Sequence, residues 1–188
     1  MIKVGITGSI SSGKTTASKI ISKNRGPLFS ADKVVKKIYL KDNFKRLIAK
    51  KLGFKFGSGF KKMLKYKILT KKNSLNKLEK TIHPIVRKEM LIFQKRNKNK
   101  KYLFFEIPLL VESNLIKYFD KIIFLKASRS VRLKRFMLNG GNEMMFKLLD
   151  GNQIKDTIKM KECHHVVVNN KAFSILKKNL SNIIKNYE

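Results

Sequence analysis

Gly8-Ser-Ile-Ser-Ser-Gly-Lys-Thr15 lies near the start of the chain and indicates which fold the rest of it adopts. It follows the apolar run Ile2–Ile6 and precedes the helix-compatible segment Thr15–Lys23. The pattern G-x-x-x-x-G-K-[ST] between a strand and a helix is typical of a phosphate-binding loop, because its glycines let backbone N–H groups turn toward phosphate oxygens. In such a loop Lys14 reaches the β- and γ-phosphates, and the Thr15 hydroxyl is a ligand of Mg²⁺. The sequence therefore predicts a nucleotide-binding site here, the alternative being a chance turn rich in glycine and serine.

Composition limits the kind of protein this is. The chain has 188 residues and 43% apolar content, enough for one compact domain with a core and too much for global disorder. Lysine and arginine total 44 against 12 acids, which gives a formal net charge of +32. Such a charge favours nucleic-acid binding, but the basic residues are spread over nearly every segment rather than gathered on one face. We therefore interpret the charge as a lysine-biased composition and expect no specific nucleic-acid partner.

The sequence also indicates a compartment. Cys163 is the single cysteine, so no intramolecular disulfide can form and a reducing compartment is expected. No apolar run approaches the ~20 residues of a membrane span. The N-terminus enters strand-like sequence at once, without the regions of a signal peptide. We therefore expect a cytoplasmic protein with no membrane partner.

The rest of the chain alternates between strand-like and helix-like segments. Strands are expected at 2–7, 28–31, 102–107, 121–125 and 166–168, and helices after the loop and at 128–138, 143–161 and 172–187. From 42 to 99 only helical spacing is present, and Pro84 is expected to end or kink a helix, which makes His83 a junction residue. This order predicts an α/β protein with a parallel sheet, a ligand site at the carboxyl ends of its strands and a helical insertion at that edge.

Three carboxylates are candidates for chemistry. Asp32 is the first acid after the loop, at a predicted strand end where a phosphotransferase places a base or a group that organises Mg²⁺. An ordinary helix N-cap explains Asp32 equally well. Glu106 ends an apolar strand, where P-loop proteins often keep an acid that holds a water ligand of Mg²⁺, and Glu112 lies just beyond Pro108. Either glutamate is also compatible with a solvated loop.

Two further groups of side chains have competing interpretations. Arg129, Arg132 and Arg135 lie three residues apart on one predicted helix face. An arginine there can neutralise charge on a transferring phosphoryl group, but we favour a solvated basic face for Arg129 and Arg132. His164-His165 adjoins the cysteine, yet adjacent strand residues point to opposite faces, so we interpret the pair as structural rather than as a zinc site.

Taken in order, these residues resemble the dephospho-coenzyme A kinase family over nearly the whole chain. Ser30-Ala-Asp32 stands where the family usually has Asp-Ala-Asp, and Pro108-Leu-Leu-Val-Glu112 looks like its Pro-Leu-Leu-x-Glu motif. The further matches are Gly5–Thr16 for its phosphate loop, Leu78-Glu79…Ile82-His83-Pro84 for its Leu-Glu…His-Pro motif, and Gln153, Lys159 and Asn169 for its C-terminal Gln…Lys…Asn positions.

The resemblance implies a three-layer P-loop NTPase fold with a parallel five-stranded sheet, a helical substrate-binding insertion and a small helical lid. It implies a single domain over 1–188, with a core at about 1–41, 100–135 and 160–188, a CoA-binding insertion at about 42–99 and a lid at about 136–159. The implied reaction is the phosphorylation of the ribose 3′-hydroxyl of dephospho-CoA by ATP and Mg²⁺, which gives CoA and ADP in the last step of CoA biosynthesis. The expected assembly is a monomer or a weak homo-oligomer.

The resemblance also implies a set of site residues. Asp32 is expected to be the base, Lys14 and Arg135 to stabilise charge during transfer, and Thr15 to hold the metal. The residues expected at the nucleotide are Gly8, Ser9, Ile10, Ser11, Ser12, Gly13, Lys14, Thr15, Thr16 and Asn169. The residues expected at the acceptor are Asp32, His83, Arg87, Pro108, Leu109, Leu110 and Glu112.

The chain departs from the family pattern in two places that bear on activity. Ser9 and Ser11 replace loop glycines, which we expect to work if the backbone angle φ is negative at both. In the lid, Arg132, Arg135 and Asn139 occupy the places of the family's Gln-x-x-Arg-x-x-x-Arg. The alternatives are another small kinase of the nucleoside monophosphate type, a nucleic-acid-binding NTPase, and a relative that binds nucleotide without turnover.

Overall fold

The fold is an α/β sheet protein, as shown by a computed structural model that describes residues 1–187. The strands are β1 Ile2–Gly8, β2 Leu28–Ser30, β3 Tyr102–Glu106, β4 Lys121–Lys126 and β5 His165–Val168. They form one parallel sheet in the order β2-β3-β1-β4-β5, so the predicted parallel five-stranded sheet is confirmed.

Register brings the carboxyl ends of the central strands to one edge of the sheet. Ile6 of β1 pairs with Glu106 of β3, and Gly8 pairs with Leu125 of β4. Because the strands are parallel, the loops that follow β1 and β3 leave the sheet side by side. This edge carries the functional residues of the loop.

The helices of the described chain fall between and after these strands. Their bounds are α1 Lys14–Ser22, α2 Ala31–Ile38, α3 Asp42–Leu52, α4 Phe60–Thr70, α5 Ser74–Arg96, α6 Arg129–Leu138, α7 Glu143–Gly151, α8 Asp156–Lys161 and α9 Phe173–Lys185. A short 3₁₀ turn spans Ile116–Tyr118. Over residues 1–187, no helix is both long and apolar enough to cross a membrane.

Both faces of the sheet are covered, as the alternation of strand side chains requires. On one face, Val4, Phe104 and Leu125 pack in a common core with apolar residues of α1 and α9. On the other face, Phe105 contacts Phe119, with ring centroids 5.2 Å apart. Phe124 of that face lies beneath α8, whose Lys159 ammonium is 5.8 Å from the ring centroid.

The chain divides into two compact units. The first contains Met1–Ser30 together with the chain from Gln94 onward, and so holds the whole sheet. The second contains Ala31–Phe93 and is helical, with its own core around Phe44, Ile48, Phe60 and Leu78.

Two helix boundaries differ from those expected from sequence. The helix α5 does not end before Pro84 but runs through it, so His83 lies inside a helix. Proline removes its own N–H from the ladder and its ring crowds the carbonyl one turn back, but the buried Leu78, Val86 and Met90 hold the helix together on either side. The expected helix 143–161 is two helices, α7 and α8, because Gly151-Asn152 is a poor helix-forming pair that ends the first of them.

Candidate functional site

The loop between β1 and α1 has the backbone geometry of an anion site. Gly13 has φ +96° and precedes α1, and a Cβ atom on it would lie 2.3 Å from Nδ2 of Asn169. Gly8 has φ +148°, and a Cβ atom there would lie 2.4 Å from the Leu125 carbonyl oxygen. Both positions therefore require glycine. Ser11 has φ +56°, so the expected negative angle is wrong at this residue; the left-handed region costs a short side chain only about 1–2 kcal/mol.

The lysine and threonine of the motif lie at the N-terminus of α1. Lys14 is buried, and its Nζ donates a 2.8 Å hydrogen bond to the Ser9 carbonyl oxygen across the loop. Thr15 is exposed, and its hydroxyl donates to the Glu106 carboxylate. Glu106 is 2% exposed at the end of β3, so the strand places an acid directly beside the hydroxyl that the motif assigns to a metal. The neighbouring Thr16 is also exposed.

Residues from the C-terminal third of the chain form hydrogen bonds to the phosphate loop. The Ile10 N–H donates a 3.0 Å hydrogen bond to Oε1 of Gln153, and the Ser9 hydroxyl donates to the Asp156 carboxylate. Lys159 donates to Ser9 Oγ and to Glu112 Oε1, each at 3.2 Å.

The far end of the loop is tied to β5. Asn169 Nδ2 donates a 2.8 Å hydrogen bond to the Ser12 carbonyl oxygen, so the loop shape depends on a side chain just beyond β5. Arg135 Nη2 donates to the Asn169 carbonyl oxygen at 3.0 Å. Its other terminal nitrogen, Nη1, is shielded from solvent and has no hydrogen-bond partner among residues 1–187. Arg135 therefore lies beside the phosphate loop with one donor nitrogen, Nη1, that no described residue uses.

The other two arginines of α6 serve packing. Arg132 is only 7% exposed; its Nε donates to the Ala127 carbonyl oxygen, and its Nη1 forms an ion pair with Asp150 of α7. The expected solvated face is therefore wrong for Arg132, because burial and a carboxylate partner hold it. Arg129 is half exposed, and its Nε lies 3.5 Å from the same carboxylate. The guanidinium of Arg129 also lies over the Phe146 ring, 5.5 Å from its centroid.

The segment 108–112 begins beside the loop. The Thr7 hydroxyl donates to the Pro108 carbonyl oxygen at 3.1 Å, and Pro108 and Leu109 are partly exposed. The Leu110 side chain is fully buried against Gly5 of β1, so it anchors the segment by packing. Glu112 accepts from the Ile154 N–H at 3.3 Å through Oε1, while Oε2 is shielded and has no partner among the described residues.

The remaining predicted site residues belong to the second unit. Asp32 is exposed in the first turn of α2. His83 and Arg87 lie one turn apart on α5, on the same helix face. The unit also contains a cavity of about 600 Å³, and its lining residues are Tyr39, Lys45, Phe56, Gly57, Ser58, Phe60, Lys61 and Leu64.

Cys163 is adjacent to this network but is chemically quiet. Its Sγ donates to the Lys159 carbonyl oxygen at 3.1 Å. Burial, with the Glu162 carboxylate nearby, raises the pKa of the thiol to about 11. Because the thiolate is the nucleophile, Cys163 does not fit a nucleophilic role near neutral pH. His164 Nδ1 accepts a 3.1 Å hydrogen bond from the Ile122 N–H of β4.

Several residues of the site are absent from the set expected from sequence. The sequence position of Glu106 fits both an acid near Mg²⁺ and a solvated loop, and the structure places its carboxylate on the Thr15 hydroxyl. Gln153 and Lys159 match family positions to which the resemblance gives no role, and in the structure both side chains hydrogen-bond to the loop. Asp156 carried no signal beyond being an acid at a helix start. These contacts join residues that are 91 to 150 positions apart in the sequence, so they follow from tertiary packing and not from local pattern.

The first strand of the parallel sheet leads into a phosphate loop, with lysine and threonine at the helix N-terminus and an acid, Glu106, at the end of the neighbouring strand β3. These features place the chain in the class of P-loop kinases. The family model described as "CoaE: Dephospho-CoA kinase" matches residues 2–174, and the chain belongs to this family. Its members phosphorylate dephospho-CoA with ATP in CoA biosynthesis.

Individual relatives agree with this assignment. The dephospho-CoA kinase of Fusobacterium nucleatum is 31% identical over 176 residues, which cover 89% of this chain and 89% of that protein. The dephospho-CoA kinase of Rickettsia typhi is 27% identical over 197 residues, which cover 100% of this chain and 98% of that protein. The solved structure of dephospho-CoA kinase from Campylobacter jejuni has the same fold, with a TM-score of 0.66 at 24% identity, over 98% of this chain and 96% of that one.

Proposed function

We propose that this protein transfers the γ-phosphoryl group of ATP to the ribose 3′-hydroxyl of dephospho-CoA and releases CoA and ADP. The observation that carries the proposal is the arrangement of Lys14, Thr15 and Glu106 at the start of α1 in a chain of this family. Positioning and electrostatic stabilisation supply most of the catalysis in phosphoryl transfer. The roles below are assigned on that basis.

The nucleotide side consists of the loop and its supports. The backbone N–H groups from Gly8 to Thr16 and the positive end of α1 bind the phosphates of ATP. Lys14 adds a cation at the transferring group. Arg135 stabilises the negative charge that develops there, supported by its contact with Asn169 and its unpartnered Nη1.

The residues present also suit Mg²⁺, which prefers oxygen ligands. The Thr15 hydroxyl would hold the ion, and Glu106 would orient that hydroxyl and hold a water ligand. When bound, the ion supplies positive charge that neutralises the phosphate oxygens. Of Thr15 and Glu106, Glu106 is the more deeply buried, so the position of its side chain is the more firmly fixed.

The acceptor side is assigned to Asp32, His83 and Arg87, together with the segment 108–112. The Asp32 carboxylate takes the proton of the 3′-hydroxyl as that oxygen bonds to the γ-phosphorus and ADP leaves. His83 and Arg87 offer hydrogen-bond donors to the acceptor from one face of α5. The unpartnered Oε2 of Glu112 offers an acceptor oxygen to a donor group of the substrate.

The proposed location is the cytoplasm. The single cysteine, Cys163, supports it, because a chain without disulfides is suited to a reducing compartment.

The experiment combines product analysis with one variant. Wild-type protein is incubated with ATP, Mg²⁺ and dephospho-CoA, with AMP as a competing acceptor, and the phosphorylated position is determined by ³¹P NMR. We expect phosphate on the 3′-hydroxyl of dephospho-CoA. Asp32→Asn should lower kcat by about 10²-fold or more, as loss of a general base does, while the Kd for ATP stays within about threefold.

The matched control is Asp42→Asn, because Asp42 is also an exposed acid in the first turn of a helix. It should leave kcat unchanged. Phosphorylation of AMP in preference to dephospho-CoA would overturn the assigned acceptor. Unchanged turnover in Asp32→Asn would leave that residue as an ordinary helix-cap acid.

A further inference from the structure

Lys159 is the most deeply buried charged side chain that the proposed chemistry does not use. It lies on α8 with an exposure of 0%. Lysine is almost never buried completely unless it is paired, because removing an ammonium group from water is costly. A buried lysine therefore needs a set of partners that repay its desolvation, and those partners indicate its role.

The partners of Lys159 lie on two different loops at the ligand edge of the sheet. Its Nζ donates to Ser9 Oγ at 3.2 Å, and Ser9 is the first residue after β1. The same Nζ forms an ion pair with Glu112 Oε1 at 3.2 Å, on the segment that follows β3. A third oxygen, Oδ1 of Asp156, lies 3.9 Å away on the first turn of α8. One ammonium group thus joins the phosphate loop to the 108–112 segment.

The hydrogen bonds at Ser9 are complementary. The Ser9 hydroxyl accepts from Lys159 and donates to the Asp156 carboxylate, so its orientation is determined at both ends. Ser9 is 2% exposed, which shields both contacts from water. On the other side, Glu112 Oε1 also accepts from the Ile154 N–H, so the carboxylate is fixed by a backbone group as well as by Lys159.

A purely structural role does not require a charge at this place. The Lys159 side chain lies over the Phe124 ring, and an apolar side chain of the same length would fill that space without the cost of burying an ion pair. Hydrogen bonds to charged groups are short-ranged and directional, and they fix relative position better than apolar contact does. The charge of Lys159 is therefore explained if it fixes the position of one loop relative to the other.

We propose that Lys159 is a positioning residue that couples the phosphate loop to the acceptor-side segment 108–112, by binding Ser9 and Glu112 with one ammonium group. The assignment of 108–112 to the acceptor rests on the proposed function above. Coupling has a specific consequence: a change at Lys159 alters the binding of both substrates, and a change at Glu112 is transmitted to the ATP site.

The test measures ATP and acceptor separately in Lys159→Met. The Kd for a fluorescent ATP analogue is determined without acceptor, and the KM for dephospho-CoA is determined at saturating ATP. We expect both constants to rise by about tenfold or more, since each loop loses its anchor. The control is Lys161→Met on the same helix, where an exposed side chain loses the same charge and both constants should stay within twofold. Thermal unfolding of each variant shows whether it is folded.

A second variant keeps the buried lysine in place. In Glu112→Gln the ammonium group is drawn toward Asp156, and we expect the Kd for the ATP analogue to rise at least threefold although Glu112 lies outside the phosphate loop. This readout decides the matter if Lys159→Met fails to fold. It also needs no acceptor, so it tests the coupling even if the wild-type protein does not phosphorylate dephospho-CoA.

Three results would overturn the proposal. The first is a folded Lys159→Met with lower thermal stability and both constants unchanged, which would show a structural role only. The second is a change in one constant alone, which would show that the two loops are independent. The third is an ATP affinity in Glu112→Gln within twofold of wild type.

Discussion

At the scale of single residues, the phosphate loop depends on which positions tolerate a Cβ atom. Gly13 combines a left-handed backbone angle with a close approach to Asn169, whose side chain is already committed to the Ser12 carbonyl oxygen. Ser11 also has a positive angle, φ +56°, so the sign of the angle alone does not demand glycine. The glycine at position 13 is therefore demanded by packing as well as by conformation.

Gly13→Ala should weaken ATP binding by at least about tenfold. The left-handed conformation costs alanine about 1–2 kcal/mol, and displacing Asn169 removes a hydrogen bond that shapes the loop, against the ~1.4 kcal/mol that corresponds to tenfold. Titration with a fluorescent ATP analogue measures the change. Gly151→Ala is the matched control, since a Cβ atom there meets nothing within 4 Å. Equal affinities for the two variants would contradict this explanation of Gly13.

At the scale of elements, α6 and α7 are joined by an ion pair between the buried Arg132 and the partly buried Asp150. The same carboxylate also lies near Arg129, so one acid neutralises two cations of α6. Phe146 of α7 is fully buried and lies against both guanidinium groups. This contact fixes the helix from which Arg135 reaches the phosphate loop.

Asp150→Ala should reduce the free energy of unfolding by about 3 kcal/mol, because it leaves the Arg132 guanidinium buried without its carboxylate. Urea unfolding followed by circular dichroism measures the loss. The control is Glu143→Gln, which removes an exposed ion pair with Lys147 on the same helix and should leave the midpoint unchanged. A similar small shift in both variants would show that the Arg132 pair is no stronger than a surface pair.

Sequence patterns predicted those elements whose determinants are local. The loop motif and the β-branched strand before it identify the start of the fold. The parallel sheet then follows from the order of strands and helices along the chain. The sequence left open whether the helix ends or kinks at Pro84, because the buried contacts that hold α5 on both sides come from tertiary structure. Gly151-Asn152 indicates a break between α7 and α8. The sequence does not show that this break places Gln153 where it accepts a hydrogen bond from the Ile10 N–H.

At the scale of the whole molecule, the net charge of +32 sets the electrostatic field. Like charges on the surface repel and destabilise the compact state, while the same field attracts anionic substrates. Salt screens both effects, since the Debye length falls from ~30 Å at 0.01 M to ~8 Å at physiological ionic strength. Stability and substrate capture should therefore respond to salt in opposite directions.

Raising sodium chloride from about 0.01 M to about 0.15 M should raise the Tm and lower kcat/KM for ATP. Differential scanning calorimetry and initial rates at low ATP measure the two responses. Sucrose in place of salt is the control for kcat/KM, because it does not screen charge. In sucrose, kcat/KM should change only as much as the higher viscosity requires. A Tm that falls over this range of salt would contradict the role given to surface repulsion.

The candidate site was predictable in part for a physical reason. The residues of the phosphate loop are contiguous, so one motif names them together. Glu106, Asp156 and Lys159 reach the loop only after the sheet and α8 are assembled, and nothing in their local sequence specifies those contacts. Arg132 and Arg135 lie three residues apart on α6, so their spacing does not distinguish them. Their different burial in the folded protein does.

The loop at residues 8–15 is expected to drive phosphoryl transfer from ATP to dephospho-CoA. The most direct test is a coupled assay of ADP release with Mg²⁺, with and without dephospho-CoA, for wild type and Lys14→Ala. We expect ADP formation that depends strongly on dephospho-CoA and falls by about 10²-fold or more in the variant. ADP formation indifferent to dephospho-CoA, or a variant as active as wild type, would contradict it.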